Sequence, residues 1–307
     1  MKMTVRQVGP LFPAGGPVPP ALVIGRTAEI EEIVRRLDEG ISTLLQGERR
    51  IGKTTVCDAG CERMAKVGAV VVRVEVPERR GGDSTDLLQL MIERCGNLSP
   101  AGAAKKALRM IRPALEKLLR EDGIPLDLSE LGVEPRALPT RRILSLPIEV
   151  ARVLDRPVVL FLDELQRTAS YRDGEQLVRD LVDLYSGHEQ VTVLVDGSDQ
   201  RAFEILEHDV QLDKLTSRMR LNETIPPPVW REALPGRFAM AGLELEGEAL
   251  ELIVEFGAGR PYATMLAARH TALNARRLRD GAPVGVFEAT MGIDEAQRQL
   301  GPGGLDV

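Results

Sequence analysis

The stretch Gly47-Glu-Arg-Arg-Ile-Gly-Lys-Thr54 decides how this chain folds. It follows a short apolar run, residues 41–46, and precedes a helical pattern at residues 53–66. Its glycines allow the backbone to turn and to point N–H groups at an anion, and the following helix directs the positive end of its dipole to the same place. The stretch therefore predicts a phosphate-binding loop between a buried parallel strand and a helix.

This predicted phosphate loop also carries side chains with chemical roles. Lys53 would reach the β- and γ-phosphates of a nucleoside triphosphate, and the Thr54 hydroxyl would be a ligand of Mg²⁺. The residues of the loop that we predict to bind nucleotide are Gly47, Arg50, Ile51, Gly52, Lys53, Thr54 and Thr55. For Arg49 and Arg50, contact with a partner or a subunit is favoured over catalysis. The alternative, a glycine-rich turn with a surface lysine, accounts less well for the strand and the helix on either side.

A second apolar run, residues 158–162, ends in two acids, Asp163 and Glu164. Parallel strands are buried, and their carboxyl ends open onto the ligand crevice of an open α/β sheet. Asp163 can hold Mg²⁺ through water, and Glu164 can orient and deprotonate an attacking water. The pair predicts hydrolysis of a bound nucleotide; the alternative is a solvated loop after a strand.

The remaining apolar runs predict an α/β fold. They are at residues 69–76, 156–162 and 191–195, with a weaker candidate at 221–225. With residues 41–46 they predict a parallel five-stranded sheet with helices on both faces, because parallel strands need crossover connections. After Pro226-Pro227-Pro228 only helical patterns follow, at residues 230–241, 246–256, 261–279 and 286–300. They predict a small all-α lid domain.

The predicted domain organisation follows from these patterns. Prolines 10, 13, 17, 19 and 20 predict an N-terminal arm without regular hydrogen-bonded structure. Helical patterns at residues 84–95, 103–119 and 141–154 predict an insertion within the sheet domain, with an irregular stretch at 126–139. The predicted divisions are an arm (1–20), a nucleotide-binding domain (21–228) with the insertion at about 84–154, a helical lid domain (229–300) and a tail (301–307).

Composition excludes several classes of protein. No apolar run approaches the roughly 20 residues of a membrane span, and no apolar segment follows the N-terminal charges, so we expect a cytoplasmic protein without an export signal. The three cysteines suit neither a disulfide framework nor a metal cluster and are expected in the core. A net charge of −6 and an aromatic content of 3% disfavour a strongly basic or base-stacking nucleic-acid module.

The phosphate loop and the Asp163-Glu164 pair resemble the Walker A and Walker B motifs of AAA+ ATPases. The branch most similar holds signal-transducing STAND ATPases, archaeal-type ATPases and origin-recognition-like initiators. The resemblance extends over about residues 21–280 and implies an ATPase, with ATP and Mg²⁺ as its ligands, built as a P-loop NTPase sheet followed by a lid.

Two shorter segments strengthen this resemblance. Val23-Ile24-Gly25-Arg26 resembles the family segment whose backbone and apolar side chains contact adenine. Residues 257–262, which include Arg260 and Pro261, resemble the sensor 2 segment at the start of a lid helix. The resemblance implies that Arg260 reaches the γ-phosphate when the lid closes, with Pro261 as the first residue of the helix.

The resemblance implies roles for two further sites. Ser198, after the fourth strand, corresponds to the family's sensor 1, which contacts the γ-phosphate or the attacking water; a simple strand-ending turn is the alternative. Arg218 and Arg220 lie just before the expected last strand, where AAA+ proteins often place an arginine finger that acts on a neighbour's nucleotide. An exposed structural arginine is the alternative there. An arginine finger would make activity depend on assembly.

The sequence thus predicts an AAA+ ATPase that acts as a nucleotide-dependent switch or assembly factor, with a protein partner or with itself. The alternative is a DNA-associated ATPase that regulates or loads a recombinase, transposase or replication partner. Basic residues in the helical patterns at 103–120 and 265–279 support it, and the net acidity counts against it. A nucleotide-binding scaffold without hydrolysis ranks below both. A small-molecule phosphotransferase is disfavoured, because Glu164 poised to activate water would waste ATP.

Overall fold

The structure, a computed structural model, describes residues 8–16, 18–78, 81–96, 139–197, 212–221, 224–278 and 282–301. Ser198 and the predicted helix at 103–119 lie outside the described residues, and so does nearly all of the stretch at 126–139. Helices and strands are numbered within the described residues.

In the part of the chain that the structure describes, strands and helices are interspersed as far as β5, and the elements after β5 are helices. The elements are α1 (Val8–Leu11), α2 (Thr27–Asp38), β1 (Thr43–Gln46), α3 (Lys53–Lys66), β2 (Val70–Glu75), α4 (Thr85–Gly96), α5 (Thr140–Leu144), α6 (Leu146–Leu154), β3 (Val158–Asp163), α7 (Gly174–Tyr185), β4 (Val191–Gly197), β5 (Ser217–Arg220), α8 (Pro227–Met240), α9 (Gly247–Gly257), α10 (Pro261–Leu278) and α11 (Val286–Leu300). None of the helices within the described ranges has both the length and the apolar character that a membrane span requires.

The strands form one five-stranded parallel sheet in the order β2-β3-β4-β1-β5. Leu162 of β3 is in register with Val195 of β4, and Glu75 of β2 with Asp163 of β3. Every residue of β3 and β4 is buried, as expected for central strands covered on both faces. The predicted parallel α/β sheet is confirmed, and Asp163 lies at its carboxyl edge.

The chain separates into two compact units. The first, which we call the loop-and-helix unit, comprises Met1–Ala28, Gly47–Thr55 and Leu221–Val307. The second, which we call the sheet unit, comprises Glu29–Gln46 and Val56–Arg220. The phosphate loop therefore belongs to the same unit as helices α8 to α11.

The sheet unit has a core of β-branched and leucine side chains. One face of the sheet contributes Val72, Leu160 and Val193, all fully buried. Helices α4, α6 and α7 cover this face with Met91, Val150 and other apolar side chains. Along each strand, every second side chain points to this face, because a strand has a period of two residues.

The loop-and-helix unit has a different kind of core, in which helices pack closely on aromatic and alanine side chains. Trp230 and Phe238 of α8 are buried within it. Helices α10 and α11 approach so closely that a Cβ built on Gly292 would lie 2.4 Å from the backbone nitrogen of Thr271. Glycine is therefore required at that crossing.

The prediction of an N-terminal arm without regular structure is wrong at residues 8–11. Residues 8–11 form helix α1, and the Phe12 N–H donates to the Val8 carbonyl at 3.1 Å. Both side chains are fully buried, and the Phe12 ring packs edge-on against Phe238 at 4.9 Å between centroids. Apolar burial stabilises the helix, and a proline in a first helical turn sacrifices no hydrogen bond.

Two further predictions were wrong in detail. Within the described residues the last strand is β5, and Leu221, Thr224 and Ile225 belong to no strand; three of the four residues of β5 are exposed, so it has no apolar run to reveal it. The helix predicted at 141–154 is two helices that meet at Ser145, because Pro147 cannot donate to the preceding turn.

Candidate functional site

The phosphate loop is a tight turn built from left-handed backbone positions. Arg50 has a φ of 65° and Gly52 a φ of 101°, and α3 begins directly afterwards at Lys53. The Lys53 ammonium is largely buried and donates to the carbonyl oxygens of Gly47 at 2.8 Å and Glu48 at 2.6 Å. Backbone turns of this kind followed by a helix N-terminus are suited to holding phosphate groups.

The segment Val23-Ile24-Gly25-Arg26 lies against this loop. Arg26 is buried, and its guanidinium donates to the Ile51 carbonyl at 3.2 Å. Gly25 has a φ of 62°, and a Cβ on it would lie 2.5 Å from the Ile225 side chain. This glycine is required both by its backbone conformation and by the close approach of Ile225.

The segment before α10 is also joined to the loop. The Arg50 guanidinium lies 4.6 Å from the centre of the Tyr262 ring, a cation–π contact within the first turn of α10. Arg260 donates its backbone N–H to the Gly257 carbonyl at 2.8 Å, and Pro261 begins the helix, as predicted. Gly259 has a φ of 77° and accepts a hydrogen bond from the Ile225 N–H.

A pocket opens within the loop-and-helix unit, and its empty space, including the part open to solvent, is about 390 Å³. Its lining combines predicted site residues with residues that the sequence analysis did not select. The predicted ones are Val23, Ile24, Arg26, Ile51, Gly52, Thr55 and Pro261; the others are Val18, Leu22, Ile225, Trp230, Arg237 and Met265. The mostly apolar lining with a few donors is typical of small-molecule sites and suits a planar base.

The N-terminal segment forms one wall of this pocket. Buried Arg237 donates to the Leu11 carbonyl at 2.6 Å and to the Leu22 carbonyl, and the Val18 N–H donates to the Thr55 hydroxyl at 3.1 Å. Burial lowers the pKa of Arg237. No motif marks Arg237 in the sequence, because its acceptors are backbone atoms of a remote segment.

In the sheet unit, Glu164 is held by both its backbone and its side chain. It has a left-handed φ of 61°, and its N–H donates to an Asp196 carboxylate oxygen at 3.2 Å. The Gln166 amide donates to the Glu164 carboxylate. The sequence analysis did not select Asp196, which is buried near the end of β4 and makes this contact there.

Asp163 is buried and forms an ion pair. Its carboxylate lies 2.8 Å from Nη2 of Arg73 on β2, and Nε of Arg73 lies 3.0 Å from Asp58 on α3. Burial raises the pKa of Asp58; the charge of Arg73 lowers it in part, and that of Asp163 raises it further. Sequence analysis missed Arg73 and Asp58, although an arginine inside the β-branched run at 69–76 was a usable signal.

The predicted arginine finger, Arg218, lies on the edge strand β5. Arg218 is inside β5 rather than before the last strand, in register with Leu44 of β1. Its side chain is exposed, and its carbonyl accepts from Arg36 at 3.3 Å. Thus the loop-and-helix unit brings together the predicted base and phosphate residues, and the sheet unit holds Asp163, Glu164 and Arg218.

The cysteines take the core positions predicted for them. Cys57, Cys61 and Cys95 are all buried, and burial raises the pKa of Cys95 to about 12. The part of the chain that the structure describes has no group of three or more His, Cys, Asp or Glu side chains placed to hold a metal ion.

Known structures share this fold. The Walker-type ATPase of Pyrococcus abyssi superposes with a TM-score of 0.66 at 17% identity, over 93% of this chain and 75% of that one. The Aeropyrum pernix ORC1 protein, solved in complex with DNA, has a TM-score of 0.61 at 17% identity, over 95% and 70%. The Thermotoga maritima RuvB Holliday junction branch migration motor has a TM-score of 0.52 at 12% identity, over 93% and 73%.

These structural neighbours are AAA+ P-loop ATPases, so the chain has the AAA+ fold that its motifs suggested. Comparison of the sequence with protein-family models and with curated proteins gives no match. At these identities the similarity establishes the fold.

Proposed function

We propose that the chain binds ATP, hydrolyses it to ADP and phosphate, and uses the bound nucleotide as a switch for assembly with a partner or with further copies of itself. The observation that carries this proposal is the phosphate loop, with Arg50 and Gly52 in left-handed conformations immediately before a helix that begins at Lys53. Backbone N–H groups in that arrangement bind phosphate oxygens.

The pocket beside the loop suits the base of the nucleotide. Its apolar side chains, among them Ile24, Ile51 and Met265, offer flat contact to an adenine ring. Arg26 bonds to the Ile51 carbonyl and so fixes the base segment to the loop. Lys53, which donates to loop carbonyls in this structure, is the group we assign to the β- and γ-phosphates.

Magnesium is the metal that suits the oxygen donors present. Thr54 and Asp163 would hold it, since hydroxyl and carboxylate oxygens are its preferred protein ligands. Asp163 is a buried carboxylate that already attracts a cation, the Arg73 guanidinium. When bound, the ion neutralises charge on the β- and γ-phosphate oxygens.

Hydrolysis is assigned to Glu164, which would orient an attacking water and accept its proton. The contacts from Asp196 and Gln166 support this role, because they fix the backbone and the carboxylate of Glu164. We assign Ser198 to the γ-phosphate or the water, and Arg218 to the nucleotide of a neighbouring subunit, as further members of the proposed catalytic set.

A route for switching is available within the loop-and-helix unit. Arg50 of the loop contacts Tyr262, and Arg260 lies immediately before α10. A γ-phosphate that draws on Lys53 and Arg260 together would couple the nucleotide to the orientation of α10. Differential contact with two nucleotide states is what a switch requires.

The first experiment separates binding from hydrolysis. Lys53→Ala should abolish binding of Mg²⁺-ATP in calorimetry, whereas Glu164→Gln should bind ATP and release no phosphate. The matched controls are Lys66→Ala at the exposed end of the same helix and Glu75→Gln at the end of the neighbouring strand. Phosphate release by Glu164→Gln at the wild-type rate would contradict the assignment of the base.

The second experiment tests the assembly switch. Mass in solution should rise with a non-hydrolysable ATP analogue, and Arg218→Ala should assemble but hydrolyse ATP slowly. Arg152→Ala is the control, because Arg152 pairs with Glu149 of its own helix and is exposed. A wild-type chain that stays monomeric with every nucleotide would overturn the switch through self-association and the role of Arg218.

A DNA-associated ATPase is the second candidate, favoured by the exposed Arg277 in the basic last turn of α10, where Arg276 donates to the Ala241 carbonyl. Two of the structural neighbours are an ORC1 protein in complex with DNA and a Holliday junction branch migration motor. In this case DNA should raise ATP turnover and its binding should weaken steeply with salt. Unchanged turnover with single- and double-stranded DNA would exclude this candidate.

A further inference from the structure

Arg73 is a cationic residue inside a strand whose other residues are mostly valines, and the proposed function gives it no role. It is on β2, an edge strand of the sheet, in register with Phe161. Its neighbours in the strand are valines, and 39% of its side chain is exposed. A cation at this position has to be explained by what its guanidinium contacts.

The Arg73 guanidinium is fixed from three sides. It lies 2.8 Å from Asp163 and 3.0 Å from Asp58, and it is 5.4 Å from the centre of the Phe161 ring. The Asp163 side chain is 5% exposed and that of Asp58 21% exposed. Because Asp163 is buried, water screens this ion pair less than a pair between two exposed side chains, and the cation offsets the charge of Asp163.

Mg²⁺ would draw on the same carboxylate charge. A guanidinium cannot be deprotonated in proteins, so its charge at Asp163 persists at every accessible pH. We propose that Arg73 is a positioning residue that competes electrostatically with Mg²⁺ for Asp163 and thereby sets the Mg²⁺ concentration at which the chain binds nucleotide. This inference rests on the proposed role of Asp163 in holding the metal.

Asp58 adjusts that competition. Its carboxylate lies at ion-pair distance from Nε of Arg73, while Nη2 donates to Asp163, so the two carboxylates share the charge of one guanidinium. Loss of the guanidinium would leave two neighbouring carboxylates to attract Mg²⁺. Loss of Asp58 would commit the guanidinium to Asp163 and remove a negative charge, so the two changes should shift Mg²⁺ affinity in opposite directions.

The test measures binding of a fluorescent ADP derivative while Mg²⁺ is titrated into full-length protein from an EDTA-containing buffer. Arg73→Gln should lower the half-saturating Mg²⁺ concentration by about tenfold, in the range known for residues that contact metal ligands. Arg73→Lys keeps the charge and should stay close to the wild-type value. Asp58→Asn should raise the half-saturating concentration.

The control is Arg167→Gln. Arg167 pairs with Glu75 of β2 at 3.0 Å, so it also joins an arginine to a carboxylate at this edge without contacting Asp163. It should leave the Mg²⁺ midpoint unchanged. Nucleotide affinity in EDTA should be the same in all variants, and thermal unfolding checks that each is folded.

Several results would overturn the inference. An unchanged or raised midpoint in Arg73→Gln would show that Arg73 only orients Asp163, and a lowered midpoint in Asp58→Asn would contradict the shared guanidinium. If Arg73→Gln does not fold, the Mg²⁺ midpoints of Arg73→Lys and Asp58→Asn test the inference in its place. A wild-type chain that binds nucleotide but ignores Mg²⁺ overturns this inference and the metal role of Asp163, and it leaves the proposed nucleotide binding intact. A chain that binds no nucleotide overturns the proposed function as well.

Discussion

The core of the sheet and the helix contacts of α9, α10 and α11 achieve close packing by different means. In the sheet unit, bulky side chains such as Leu160 fill the space between strands and helices. In the loop-and-helix unit, glycines let backbones meet: Gly292 faces the backbone of Thr271, and a Cβ on Gly257 would lie 2.0 Å from the Thr264 hydroxyl. The core of the sheet should therefore suffer most when atoms are removed, and the contacts of α9, α10 and α11 when atoms are added.

The largest effect is expected from Leu160→Ala. Leu160 is fully buried on β3, and its truncation should lower the free energy of unfolding by about 3 kcal/mol through lost burial and a residual cavity. Urea unfolding followed by circular dichroism measures the loss. Val67→Ala, at a position 74% exposed, is the control and should change little. Equal losses in both variants would break the comparison.

Gly292→Ala adds a single methyl group and should cost about 2 kcal/mol, because the backbone of α10 cannot move aside without shifting the whole helix. Trp230 is the only tryptophan of the chain, so its fluorescence during urea unfolding reports on the loop-and-helix unit. Gly236→Ala on α8 is the control: a Cβ there meets nothing within 4 Å, and alanine favours the helix. A stability unchanged by Gly292→Ala would refute the close crossing of α10 and α11.

The smallest effect is expected from Gly60→Ala in the sheet unit. A Cβ on Gly60 would lie 2.6 Å from the γ2 methyl of Ile33, a side-chain atom on α2 that can shift by a few tenths of an ångström more easily than a backbone can. The steric cost of about 1 kcal/mol is offset by the higher helix propensity of alanine. We expect a midpoint of urea unfolding within error of the wild type. A loss as large as that of Gly292→Ala would show that both units depend on glycine contacts.

Features encoded by neighbouring residues could be predicted from the sequence. The bounds of α3 and α11 agree with the prediction, because a loop motif marks the first and apolar periodicity the second. Strands β1 to β4 were found as apolar runs. The parallel sheet followed from their alternation with helices.

Features made by distant residues could not be predicted. Arg73, Asp58 and Asp163 are on three different elements, and only the fold brings their charges together. Arg237 acts on carbonyl groups, which every residue has, so no side-chain pattern identifies its acceptors. Strand β5 was misplaced, since an exposed edge strand needs backbone pairing but no apolar run.

The bonds of Arg237 also have a consequence for synthesis on the ribosome. Leu11 precedes Arg237 by 226 residues. At the usual translation rate of about 5–20 residues per second, about 10–45 seconds pass between the synthesis of Leu11 and that of Arg237. During that time Phe12 has no Phe238 to pack against. We therefore expect the nucleotide pocket to be among the last parts of the nascent chain to form, with the earliest-made segment a natural target for chaperones until then.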